Sequence, residues 1–82
     1  MIEMRKWSAN SSLDAAVLAE ELFLLLLAVY EVSPWTASQV EEVLRSDVNS
    51  CALAEDGSQL VGFLVWQETD FEAEVLQIAV LP

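Results

Sequence analysis

Over the first seven positions Ile2, Met4 and Lys6 alternate with Glu3, Arg5 and Trp7, a period of two that predicts a strand over residues 1–7. The polar stretch Ala9-Asn10-Ser11-Ser12 breaks it, and Ser11 with Asp14 three residues on has the form of a capping box. A long helix is predicted from about Leu13 to Glu31, rich in leucine and alanine and free of Gly and Pro. Its first half is amphipathic, with Asp14, Glu20 and Glu21 on a wet side. Its second half, Phe23 to Tyr30, is apolar nearly all round and must be covered on several sides. Ser33-Pro34-Trp35 ends the helix, because the residue before a proline disfavours helical geometry. Thr36-Ala37-Ser38-Gln39 is a second capping box, opening a helix to about Arg45 with Val40, Val43 and Leu44 as its apolar stripe.

After a loop at 46–49 the period returns to two. A short strand is predicted over 51–55, then an Asp56-Gly57 hairpin of type I′, a return strand over 58–67, a looser turn at 68–70 and a last strand over 71–81. On the return strand Leu60, Leu64 and Trp66 oppose Val61, Phe63 and Val65. On the last strand Leu76, Ile78 and Val80 oppose Val75, Ala79 and Leu81. Both faces are apolar, whereas an antiparallel sheet with one wet face alternates with polar residues. The sheet therefore expects a layer on each side. The two helices supply one and no further segment of the 82 residues supplies the other. Exposed, such a face is a larger apolar patch than soluble monomers carry, so a homo-oligomer is expected.

The length allows one domain, of a size at which stability is marginal. A single cysteine, Cys51, closes no loop within the chain. It reads as a buried strand residue and fits a reducing, cytoplasmic setting. Fourteen acids against Arg5, Lys6 and Arg45 give a net charge of −11. That balance argues against nucleic-acid partners, which need a basic face, and against anionic membrane surfaces. The longest apolar run, from Leu22 to Tyr30, is bracketed by Glu20, Glu21 and Glu31 and is too short to span a bilayer. No secretory signal is visible near Arg5-Lys6. There is no histidine and no metal-ligand spacing, and both glycines, Gly57 and Gly62, belong to the hairpin rather than to a phosphate loop.

Four segments, in this order, resemble the N-terminal half of the GNAT superfamily of N-acetyltransferases, most closely its ribosomal-protein-alanine (RimI) branch. They are Met1 to Arg5, the Ser33-Pro34-Trp35-Thr36 corner, Leu53 to Phe63 with its Asp56-Gly57 and Val61-Gly62-Phe63, and Glu72 to Pro82 with its Ile78-Ala79-Val80-Leu81-Pro82 ending. The resemblance implies an α+β fold, strand–helix–helix–three-strand antiparallel meander, with one sheet face lacking its helix layer. It implies that residues 1–82 are a truncated acetyltransferase domain. The Q/R-x-x-G-x-G/A loop that holds the acetyl-CoA pyrophosphate would come after Pro82, and so would the branch's usual catalytic carboxylate and tyrosine. The parent domain would transfer acetyl from acetyl-CoA to an amine, with a protein N-terminal α-amine as acceptor, by direct attack through a tetrahedral intermediate. This length alone is expected to give no useful turnover.

Carried onto this sequence, the resemblance assigns Ile78, Ala79 and Val80 to the strand whose main chain pairs with the pantetheine arm and polarises the thioester. Glu74 and Glu72 become the candidate bases, Glu74 on the same strand face as Leu76, Ile78 and Val80, where an apolar cleft would raise its pKa. Against this stands the plainer reading of two solvated strand-end glutamates. Trp35 would line the acceptor groove, or else anchor the helix corner. Tyr30 reads as core, and Trp7 and Trp66 as sheet packing. A non-catalytic interaction module using the open sheet face and leucine-rich helix is the alternative function. An acidic decoy for a basic partner is a third.

Overall fold

A computed structural model describes residues 1–8 and 13–82. Six elements follow in order: β1 (Ile2–Trp7), α1 (Ala15–Tyr30), α2 (Ala37–Arg45), β2 (Asn49–Asp56), β3 (Gln59–Glu68) and β4 (Ala73–Val80). The strands form one antiparallel sheet in the order β1-β2-β3-β4, so β1 and β4 are its edges. The fold is α+β, as expected.

Helix α1 begins later than the periodicity predicts. Asp14 is its N-cap, with no capping bond from the side chain, and the predicted cap at Ser11 lies outside the described residues. Leu18, Leu22 and Leu26 recur every fourth residue and are wholly buried, with Ala15, Ala19 and Leu25 beside them. Each such leucine contributes about 1.5–3 kcal/mol relative to exposure. The helix ends at Glu31, whose φ of 64° is left-handed and whose N–H donates to the Leu27 carbonyl at 2.9 Å. The predicted box opening α2 is complete. Gln39 N–H donates to Thr36 Oγ1 at 3.1 Å, and Thr36 N–H donates to Gln39 Oε1 at 2.8 Å.

Both helices lie on one face of the sheet. Val40 and Leu44 of α2 join the α1 leucines over Trp7, Cys51, Leu53, Phe63, Val65 and Ala79 in a single core. Trp7 is fixed by its indole N–H, which donates to the Leu13 carbonyl at 3.0 Å. The hairpin between β2 and β3 differs from the expected type I′ turn. Asp56 pairs with Gln59, so Gly57 and Ser58 are the central residues, with positive φ (64°) at Gly57 and not at Ser58, the type II′ pattern.

Two bulges revise the predicted faces. Ala54 pairs with Gly62 and Glu55 with Leu60, leaving Val61 as an extra residue. Val65 pairs with Gln77 and Trp66 with Val75, leaving Leu76 extra in β4. Leu60 and Leu76 therefore pack with the helix-side core instead of standing with Leu64, Trp66, Ile78 and Val80. Val75 moves the other way and is 58% exposed. The second face, made by Ile2, Met4, Lys6, Ala52, Leu64, Trp66, Val75, Ile78 and Val80, has no covering layer among the described residues.

Candidate functional site

The outer edge of β4 carries Ile78, Ala79 and Val80, to which the resemblance assigns the main-chain cofactor contacts. Leu81 N–H donates to the Val61 carbonyl at 2.8 Å, so main-chain groups alternate along β4 and those of Ile78 point away from β3. Both Ile78 groups are held by side chains. Its N–H donates to Gln77 Oε1 at 3.2 Å, and its carbonyl accepts from the Tyr30 hydroxyl at 2.8 Å. Tyr30 is thus not core, as its place in an apolar run predicts. It is 45% exposed at the last turn of α1, with its polar end on the sheet edge. Neither Tyr30 nor Gln77 is singled out by the sequence reasoning. A polar residue inside the run Val75 to Leu81 was the available signal, since edge strands blunt their free groups with polar side chains.

Ala79 is buried with its side chain in the core, and the same alternation turns its main-chain groups towards Phe63 of β3, so it offers nothing to the edge directly. Val80 is more than half exposed on the uncovered face. Gly62 sets how close β4 lies. A Cβ there would sit 3.0 Å from the Ala79 carbonyl oxygen and 3.3 Å from Val80 Cγ2.

The β4 bulge also moves the candidate acid. Glu74 pairs with Gln67 and Gln67 with Asn49, in the row of Val65 and Cys51 on the helix side. Glu74 therefore does not share a face with Ile78 and Val80, because the extra residue Leu76 inverts the alternation. It is exposed, as is Glu72, which belongs to the preceding turn. The Glu72 carbonyl accepts from Thr69 N–H at 2.8 Å and its N–H donates to Thr69 Oγ1 at 3.3 Å.

Trp35 is half-buried against the core and lines an open hollow of about 450 Å³ with Gln39, Glu42, Val43, Ser46 and Asn49. No β4 residue lines that hollow. Asn49 links it to the polar row, since it begins the row that ends at Glu74. Asn49 Nδ2 donates to the Val43 carbonyl at 3.0 Å, while its Oδ1 is buried without a hydrogen-bond partner. An acceptor so placed takes a donor such as water or an ammonium group. Cys51 is a free, buried thiol, and desolvation pushes its pKa up to about 12, which makes it a poor nucleophile. Among the described residues no three His, Cys, Asp or Glu side chains gather as metal ligands, and no helix is long and apolar enough to cross a membrane.

No family model and no curated protein matches the sequence. Solved structures do match the fold. One is the crystal structure of a ribosomal-protein-alanine N-acetyltransferase from Brucella melitensis biovar Abortus 2308, with a TM-score of 0.69 over 99% of this chain at 16% identity. The chain spans 57% of that protein's length. At this identity the likeness is one of fold, and the order strand, two helices, three-strand meander is the α+β arrangement the two chains share.

Proposed function

We propose that this chain is an acetyltransferase-type half-domain whose β4 edge receives the amide-bearing arm of acetyl-CoA, in a parent protein that acetylates an amine, with a protein N-terminal α-amine as the class of acceptor. The observation that carries the reading is the edge at Ile78. One N–H and one carbonyl face outward from a strand that lacks a neighbour, inside a fold like that of a solved N-acetyltransferase. Two amides of an extended arm pair with such groups as a further strand would. Both present partners, Tyr30 Oη on an exposed side chain and Gln77 Oε1 on a half-buried one, can yield to a ligand.

Acetyl-CoA, when bound, supplies the activated acetyl group. The chain's own part is to align it by main-chain contact at Ile78 and Val80, with Ala79 holding the strand to β3 between them, and to take up the proton that the amine releases. Glu74 is the candidate for that second task, reached through water because it is exposed and on the opposite face from Ile78, with Glu72 the weaker candidate. The row from Glu74 through Gln67 to Asn49, with Glu42 and Trp35 at the hollow, presents acceptor oxygens and one aromatic ring to a cationic amine. A net charge of −11 draws basic termini towards it.

A titration of the 82-residue chain with acetyl-CoA, followed by backbone amide shifts, tests the reading. Saturable shifts centred on Ile78, Ala79 and Val80 are expected. If the β4 amides stay fixed at about millimolar cofactor, where even a binding free energy of ~4 kcal/mol would register, the edge does not receive the arm and the reading fails.

A further inference from the structure

The uncovered sheet face differs from the rest of the molecule in charge as well as in polarity. By register its strand positions are Ile2, Met4 and Lys6 of β1, Ser50, Ala52, Ala54 and Asp56 of β2, Gln59, Gly62, Leu64, Trp66 and Glu68 of β3, and Ala73, Val75, Ile78 and Val80 of β4. Of the 14 acids in the chain, Asp56 and Glu68 alone stand on these positions. Each is already engaged. Asp56 Oδ1 lies 3.3 Å from the amino group of Met1, and Glu68 accepts from the Trp66 indole N–H. Lys6 rests over the Trp66 ring, with Nζ 5.9 Å from its centroid. Two cations thus balance two anions, and a molecule of net charge −11 presents one face that is neutral and mostly apolar. Glu20, Glu21, Glu41 and Glu42 lie on the helices, Glu3 and Glu55 in helix-side rows, and Asp70 and Glu72 in a turn.

For the 82 residues standing alone, this distribution decides between a basic partner, an anionic surface and a second copy. A basic partner is drawn to the helical side, where the acids are. An anionic surface is repelled by the molecule as a whole. A second copy, face to face, buries the neutral side and turns both acidic sides outward, the arrangement of lowest mutual repulsion. The area also suffices. Four strands ~4.8 Å apart and about eight residues long at ~3.3 Å each give a face of roughly 500 Å² in projection. Two such faces together give about 1,000 Å², the lower bound for a specific interface.

We infer that, in the 82-residue chain by itself, the face formed by Met4, Leu64, Trp66, Val75 and Ile78 is the interface of a two-fold homodimer, sheet against sheet. It uses the Ile78 side chain, whereas the β4 edge offers the Ile78 main chain, and it requires no cofactor.

Sedimentation of the 82-residue chain tests this, with Met4→Lys, Val75→Lys and the control Leu24→Lys. Met4 and Val75 are 64% and 58% exposed on the face, and Leu24 is 62% exposed on the outer side of α1, so each lysine enters without loss of packing. The wild type is expected near twice its 9.1 kDa at about 100 µM, with an affinity undiminished when salt rises roughly tenfold. Each face variant is expected to weaken association at least ~10-fold while circular dichroism stays native, and Leu24→Lys to leave it unchanged. A folded wild-type monomer, a dimer that survives both face variants, a dimer lost to Leu24→Lys, or one dispersed by salt would each overturn the inference. If both face variants unfold, wild-type hydrogen exchange decides. Open-face amides that gain no protection between about 1 and 100 µM overturn it.

Discussion

Tyr30 joins the helix layer to the sheet edge through one bond. Its hydroxyl on the Ile78 carbonyl is a neutral, partly exposed hydrogen bond, worth about 0.5–1.5 kcal/mol net. Tyr30→Phe is therefore expected to move the urea midpoint by no more than that, and to leave the Ile78 carbonyl free. A ligand arm no longer has to displace the hydroxyl, so the shift of the Ile78 amide should saturate at several-fold lower cofactor. Affinity equal to or weaker than wild type would show that Tyr30 supports the ligand rather than competing with it. Cys51 gives a pH dependence. Its pKa rises from 9.0 to about 12 in the folded state, so between these values the unfolded chain has lost a proton that the folded chain retains. Stability contributed by the neutral buried thiol is complete below pH 9.0 and declines as pH climbs towards about 12. Denaturation melts across that window should show the decline, at up to ~1.4 kcal/mol per pH unit, and Cys51→Ala should remove that component.

At the level of elements, what periodicity could reach and what it could not is divided by the bulges. The capping box at Thr36, the break at Ser33-Pro34, the long leucine-rich helix and the order of the meander are local signals, and each is realised. The alternation in β1 has no bulge to disturb it and places Ile2, Met4 and Lys6 on one face as read. In β3 and β4 a single extra residue, Val61 or Leu76, reverses every side chain beyond it. No composition marks those two positions, so Glu74 is assigned to the wrong face and Leu76 to the wrong layer. Tyr30 is misread for a related reason. Helical period identifies the apolar run but not which of its members passes the sheet edge, a property of tertiary packing. Gly62 is different, because its contacts make a sharp prediction about β4 as an element. A Cβ 3.0 Å from the Ala79 carbonyl oxygen and 3.3 Å from Val80 Cγ2 has no flexible side-chain end to push aside at the nearer contact. Gly62→Ala is expected to cost about 1–3 kcal/mol and to displace the amide signals of Ala79 and Val80 in the folded protein. Unchanged β4 shifts would mean the strand is held less closely than its register implies.

Seen as a whole, the molecule is a small core under an asymmetric charge. One helix layer over one sheet leaves the 82-residue chain near the lower limit for a self-sufficient core, and its net charge of −11 opposes compactness further. Two remedies act differently. Salt screens the acids on the helical side and raises stability whatever the oligomeric state. A second copy on the neutral face adds stability that depends on concentration, because association draws on the folded form alone. For a homodimer each tenfold rise in protein adds ~0.7 kcal/mol per chain, which for a domain of this size lifts the melting temperature by roughly 3–5 °C. The two effects separate in one experiment, thermal melts at two salt levels and several protein concentrations. Upward shifts along both axes are expected for the wild type. Met4→Lys should keep the salt shift and lose the concentration shift, because it spoils the neutral face while the acids on the helices stay in place. A wild-type melting temperature that answers to salt but not to concentration would leave the open face without its second copy at every concentration tested, and would overturn the homodimer.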